Sequence, residues 1–153
     1  MRLKFTVFLL VLAGLFHLHA FAKNPPANTR SLEREIFELI NDSRADAGLN
    51  RLKWDDEIAD VAREHSHDMA RKKVPFSHNG FDERIDRIRA RIPGVTGAAE
   101  NIAYGPLDGP RAVKMWLNSK GHRKNIMGKY ARTAVGIAEA KDGSIYLTQI
   151  FIL

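Results

Sequence analysis

The C-terminal stretch TAVGIAEAKDGSIYLTQIFIL, residues 133–153, decides what kind of fold this chain can adopt. Its two runs, Thr133 to Ala140 and Ile145 to Leu153, have strand character, and Lys141-Asp142-Gly143-Ser144 between them is a turn signal. Two strands joined by so short a loop predict a β-hairpin.

Upstream of the hairpin the apolar pattern changes to helical spacing. Pro110 reads as the first residue of a helix that buries Val113, Trp116 and Leu117 and stops at Gly121, which would place His122 directly behind a helix C-terminus. Before it, the run Glu100 to Tyr104 (ENIAY) has strand character and sits between glycines. A helix carrying Phe81, Ile85, Ile88 and Ile92 ends at Pro93-Gly94, and the loop FSHNGF follows the helix-breaking Pro75. Another helix starts after Trp54, capped by Asp55 or Asp56. Its stripe of Ile58, Val61, Ala62 and Met69 includes His65, while His67 points away. The first helix, capped by Thr29 or Ser31, carries Leu32, Ile36, Leu39 and Ile40 and stops at Gly48. Helices first and a hairpin last, with no internal repeat, predict an α+β layered domain.

Residues 1–22, MRLKFTVFLLVLAGLFHLHAFA, read as a secretory signal peptide: Arg2 and Lys4 precede an apolar run from Phe5 to Phe16, and Ala20-Phe21-Ala22 is a small-x-small cleavage signal. The apolar run is shorter than the ~20 residues that a spanning helix needs. Cleavage after Ala22 leaves a proline-bearing leader over residues 23–30 and a single domain over 31–153, secreted or periplasmic. The chain holds no cysteine, which excludes thiol nucleophiles, zinc-thiolate sites and disulfides, and the domain must hold its fold by core packing. Its 24 basic and 18 acidic residues give +6; without Arg2 and Lys4 the balance is 22 to 18, or +4. The distribution is uneven. Between Gly109 and Ala138 stand Arg111, Lys114, Lys120, Arg123, Lys124, Lys129 and Arg132 with no acid. This basic stretch points to anionic lipid headgroups or wall polymers as partners, and nucleic acid is not expected for an exported protein.

Of six histidines, His17 and His19 leave with the signal, so His65, His67, His78 and His122 remain. There is no G-x-S-x-G elbow, no phosphate-binding G-x-x-x-x-G-K-[ST], and no visible pairing of a nucleophile with a base. His65 reads as a hydrogen-bonded histidine under its helix, and His67 as a solvated one. By spacing alone His78, Glu100 and His122 form no local metal motif.

Four segments taken in order, "IFELINDSRADAGLNRLKWDDEIADVAREHSHDMA", "FSHNGFDER", "AENIAYG" and "MWLNSKGHRKNIM", followed by the hairpin, resemble the CAP superfamily: cysteine-rich secretory proteins, antigen 5 and pathogenesis-related 1 proteins, and especially its bacterial branch of SCP-like extracellular domains. The resemblance implies a three-layer α-β-α sandwich with a small antiparallel sheet and a cleft that holds two histidines and usually two acids. The loop histidine before the third helix matches His78, the acid of the E-N-I strand matches Glu100, and the G-H pair after the tryptophan-bearing helix matches His122. The second acid of many animal members falls on Ser119, and the glycine that commonly precedes the strand acid is Ala99.

On that resemblance His78, Glu100 and His122 are the candidate site for a divalent cation, zinc foremost, with water as the remaining ligand and no organic cofactor. The function expected is a binding module that presents this cleft to a metal or a small envelope ligand. The alternative is a metal- or acid/base-dependent hydrolase of peptide, ester or cell-wall substrates, with the same three residues as its catalytic set. Against the metal site stands a metal-free cleft in which Glu100 hydrogen-bonds a histidine.

Overall fold

The computed structural model describes residues 29–153; the expected signal peptide and most of the expected leader lie outside the described residues. The elements follow the order α1 (Thr29–Asp46), β1 (Lys53–Trp54), α2 (Asp56–Ala70), α3 (Phe81–Arg91), β2 (Ala98–Gly105), α4 (Gly109–Asn118), α5 (Lys120–Ile126), β3 (Arg132–Glu139) and β4 (Ile145–Ile152). Thr29 and Arg30 already belong to α1, so the helix starts inside the stretch expected as leader.

Four strands form one sheet in the order β1-β3-β4-β2. The hairpin β3-β4 is its centre, β2 adds antiparallel to β4, and β1 adds parallel to β3. β1 was not expected from the sequence, because two residues carry no period.

Side chains alternate across the sheet and divide the core in two. Val135, Ile137, Leu147 and Phe151 point to one face, where α1, α4 and α5 contribute Ile36, Ile40, Trp116 and Ile126. Ala134, Ile150 and Ile152 point to the other, under Ile58, Ala62, Ile85 and Ile88 of α2 and α3. The result is the three-layer α-β-α arrangement. Period-2 strands between period-3.6 helices give each layer one apolar face to bury.

Gly136 on β3 sets the spacing between α2 and the sheet. A Cβ there would stand 2.1 Å from Arg63 N and 2.2 Å from Ala62 C, so backbone meets backbone at a distance only glycine permits. A buried ion pair ties the opposite layers together. Arg63 of α2 donates Nη2 to Glu33 of α1 at 2.7 Å, and Glu33 also accepts the backbone N–H of Ile137 at 3.2 Å.

The expected helix stop at Gly121 is corrected. α4 ends at Asn118, and Ser119, extended at φ −91° and ψ 123°, serves as a joint to α5. Gly121 lies inside α5, with no neighbour pressing on the place its Cβ would occupy. His122 is therefore an early residue of a short second helix, not a residue behind the end of the first. The break is made by Ser119, whose extended backbone turns α5 back toward β2.

Candidate functional site in the cleft over strand β2

Three segments converge on the outer edge of β2. The loop after α2 brings Phe76, Ser77 and His78; β2 itself brings Glu100, Ile102 and Tyr104; α4 and α5 bring Met115 and His122. His78 and His122 line one cleft of about 420 Å³, with Ile102 to Tyr104 as its floor. Glu100 lies beside it, in a smaller recess shared with His78, Ala99 and Asn125. The structure thus gathers all three residues expected at the site.

Glu100 is held there by two partners. His78 Nδ1 stands 2.9 Å from Glu100 Oε1. Arg84 donates Nη2 to the same oxygen and Nε to Oε2, both at 2.8 Å. The Glu100 side chain is 2 % exposed and that of Arg84 8 %, so the carboxylate is a buried anion with its countercharge in place. A carboxylate facing Nδ1 favours the tautomer with the proton on that nitrogen, which leaves Nε2 of His78 as a free lone pair. Glu100 therefore orients His78 from behind.

Zinc held by His78, Glu100 and His122 would share the Glu100 oxygens with Arg84, whose Nε is the partner of Oε2. Among the described residues no group of three histidine or carboxylate side chains is placed to hold a metal ion. The arrangement does fit a carboxylate that backs a ligating histidine, the usual outer support of an imidazole.

His122 packs near the Trp116 ring, with centroids 6.5 Å apart, and its Nδ1 is buried without a partner. Burial, reinforced by the nearby His78, holds this imidazole below the ordinary histidine value, so it is neutral at pH 7. A buried donor without an acceptor costs more than a bare lone pair, which puts the proton on Nε2. His78 thus offers an acceptor nitrogen and His122 a donor.

Several residues that build the site escaped the sequence reading. Arg84 falls in register with Phe81, Ile85 and Ile88, a charge on an apolar stripe, and that was its signal. Asn125 donates to the Glu100 carbonyl at 3.1 Å and to Asn101 Oδ1 at 2.9 Å, while Asn101 donates to the His122 carbonyl at 3.3 Å. These amides tie α5 to β2 and fix His122 over the cleft. His65, expected as a hydrogen-bonded histidine, is one: its Nε2 stands 3.1 Å from the Ser77 carbonyl and anchors the loop that carries His78. His67 is about half exposed, as expected. Ser119 makes no side-chain capping bond and is not part of the cleft lining.

The family model described as the Cysteine-rich secretory protein (CAP) family matches residues 37–151. This chain belongs to the CAP family. The match takes in β1 to β3, β4 up to Phe151, and every cleft residue named above. Two relatives come from Bacillus subtilis (strain 168). The uncharacterized membrane protein YlbC is 40 % identical over 123 residues, which is 78 % of this chain and 34 % of the relative. The uncharacterized protein YkwD is 35 % identical over 129 residues, 83 % of this chain and 49 % of the relative. The CAP chain thus spans half or less of the length of these relatives. Among solved structures, an extracellular protein containing a SCP domain from Bacillus anthracis superposes with a TM-score of 0.68 at 37 % identity, over 80 % of this chain and 40 % of that one. An outer surface protein of Borrelia burgdorferi superposes with a TM-score of 0.72 at 21 % identity, covering 82 % and 94 %, and shares the fold alone. Among the described residues of this CAP domain no helix is long and apolar enough to cross a membrane.

Proposed function

We propose that this CAP domain works outside the cell membrane as a binding module, whose ligand is held in the cleft between His78 and His122. The carrying observation is the pair of imidazoles that line one cleft of about 420 Å³, one ring backed by a carboxylate and the other carried on a helix tied to β2. Glu100 and Arg84 fix His78, and Asn101 and Asn125 tie α5 to β2. Such preorganisation suits recognition, because the polar groups lose little freedom when a ligand arrives. The extracellular setting is supported by the signal-like residues 1–22 and by the extracellular and surface proteins that share the fold.

Hydrolysis fits the same residues less well. Glu100, with both oxygens held by Arg84, is poorly placed to move a proton, and the cleft lining includes Ser77 as its only hydroxyl besides Tyr104. A divalent cation is retained as a proposal in reduced form: His78 and His122 as the direct ligands, and Glu100 as the support of His78. Two imidazoles with water completing the shell would bind zinc weakly.

Titration of zinc chloride at pH 7.5, followed through the ring resonances of His78 and His122 and repeated in His78→Ala and His122→Ala, separates these readings. Weak binding lost in both variants is expected for the two-histidine site. Equal binding by all three proteins would remove zinc from the cleft. A small-molecule fragment screen read through the same resonances tests the wider reading, which fails if no fragment moves either ring.

A further inference from the structure

The floor of the cleft is a strand edge. Among the described residues β2 is the last strand of the sheet, with β4 on one side and no strand on the other. The Leu153 N–H donates to the Gly97 carbonyl at 2.8 Å, and these two stand opposite each other in the register that pairs Ala98 with Ile152. An antiparallel strand turns alternate residues toward its partner, so Ala99, Asn101, Ala103 and Gly105 bond to β4. Ala98, Glu100, Ile102 and Tyr104 turn their N–H and C=O groups outward. Two side-chain bonds agree with that phase: Asn125 Nδ2 donates to the Glu100 carbonyl and Trp116 Nε1 to the Ile102 carbonyl.

The outward carbonyls are thus covered by α4 and α5, whereas among the described residues no acceptor meets the N–H groups of Ile102 and Tyr104. Ile102 is 6 % exposed. An amide at the cleft without a protein acceptor is an open donor, and an incoming ligand that supplies an acceptor satisfies it. The two donors sit two residues apart along an extended strand, a repeat of about 6.6–6.8 Å. Alternate carbonyls of another extended polypeptide have that same repeat. Above this edge Phe76, Tyr104 and Met115 are large apolar side chains left partly in solvent, forming a wall that suits one apolar residue. The charge is complementary on one side only. α5, which carries His122, also carries exposed Lys120, Arg123 and Lys124, which make no ion pair among the described residues, while Glu100 is paired with Arg84. Asp82 and Glu83 open α3 on the His78 side, so acidic residues of a ligand belong toward α5.

We propose that the cleft receives an extended acidic peptide, which pairs with the outer edge of β2 through the N–H groups of Ile102 and Tyr104 and seats an apolar side chain against Phe76 and Met115. This rests on the reading of the cleft as a ligand site and names the class of ligand. Pairing is donor-led: the Ile102 carbonyl already accepts from Trp116, so a peptide residue lacking its own N–H is tolerated opposite Ile102.

Uniformly ¹⁵N-labelled protein titrated with acetyl-Glu-Leu-Glu-Leu-Glu-amide, with its lysine-for-glutamate counterpart, and with a version carrying proline at the central residue tests this. The acidic peptide should shift the Ile102 and Tyr104 amides and slow their hydrogen exchange at least several-fold. The lysine peptide should not, and Lys120→Glu/Arg123→Glu should weaken the acidic peptide about ten-fold or more. Met115→Glu, a change on an exposed side chain, should weaken it without loss of fold. If the histidine rings respond to the acidic peptides while both amides keep their exchange rates, the cleft binds ligands and edge pairing is wrong. Equal binding of the lysine peptide overturns the acidic preference. No response to either glutamate peptide overturns the inference, and the fragment screen then decides the cleft separately.

Discussion

Arg84 of α3 grips both oxygens of Glu100 on β2, with Nε to Oε2 and Nη2 to Oε1 each at 2.8 Å, and so holds in place the carboxylate that faces His78. The pair is nearly out of water, and its value is best seen by breaking it on one side. Arg84→Met should leave a buried, uncompensated carboxylate and cost about 3–5 kcal/mol. The double change Arg84→Met/Glu100→Gln should recover a large part of that loss. Thermal or urea unfolding of the three variants measures both terms; equal losses in single and double variants would mean the pair is not coupled.

Acid should destabilise the domain through two histidines. Burial is the main cause that holds His65 below the ordinary value of 6.5, with the nearby Arg84 adding to it, and burial likewise lowers His122. In the unfolded chain both regain the ordinary value, so the unfolded state binds protons first as pH falls. Stability contributed by the neutral rings is complete above about 6.5 and is lost as pH drops below it toward the lowered folded values. Unfolding free energy at pH 7.5, 6.5, 5.5 and 5.0 should decline along this series. His65→Gln should flatten the decline even if it lowers stability at pH 7.5, because glutamine does not titrate.

Gly136 should tolerate no side chain. Its Cβ position collides with the Ala62–Arg63 backbone, not with a flexible side chain that could swing away. Gly136→Ala is expected to cost at least about 1–3 kcal/mol, in the range of overpacked cores, by pushing α2 off β3. Gly121→Ala, with open space around it inside α5, should be neutral or stabilising by up to about 1 kcal/mol. Paired melting curves of the two variants check the contrast.

The basic stretch from Arg111 to Arg132 should bind polyanions in a salt-dependent way. Arg111 faces Asp108 at 3.5 Å and Arg132 faces Asp55 at 2.9 Å, whereas Lys114, Lys120, Arg123, Lys124 and Lys129 make no ion pair among the described residues. Arginines of α2 and α3, by comparison, are paired at Glu33, Glu64, Asp86, Glu57 and Glu100. Sedimentation with vesicles containing anionic lipid, or with wall polymer, should show binding at low salt that falls at least ten-fold by about 0.5 M, as screening shortens the reach of the charges. Binding unchanged by salt would remove electrostatic docking.

The hairpin, the helical stripes and the α+β layering were legible because each depends on a local period. Ile36 and Ile40, or Ile85 and Ile88, repeat at helical spacing wherever the chain goes. That His78, Glu100 and His122 share one site was implied by the resemblance of whole segments to the CAP family, and no local spacing showed it. The break at Ser119 was not legible, because glycine is the commoner local stop and Gly121 stood two residues away. Nor was β1, whose two residues exist as a strand only because β3 offers an edge.

The sequence by itself determined which residues could meet; the tertiary structure decided what each would do on meeting. Glu100 carries the same carboxylate whether it faces an ion or an arginine, and no local pattern distinguishes the two. Only the packing of α3 against β2 brings Arg84 onto both of its oxygens. Likewise the strand character of ENIAY says nothing about which of its amides are spent. That depends on β4 lying along one edge, on Trp116 and Asn125 reaching over the other, and on no acceptor among the described residues meeting the outward N–H groups. Hydrogen-bond partners so far apart in the chain are chosen by the assembled layers, since the bonds are short-ranged and directional and exist only once the fold has placed both ends.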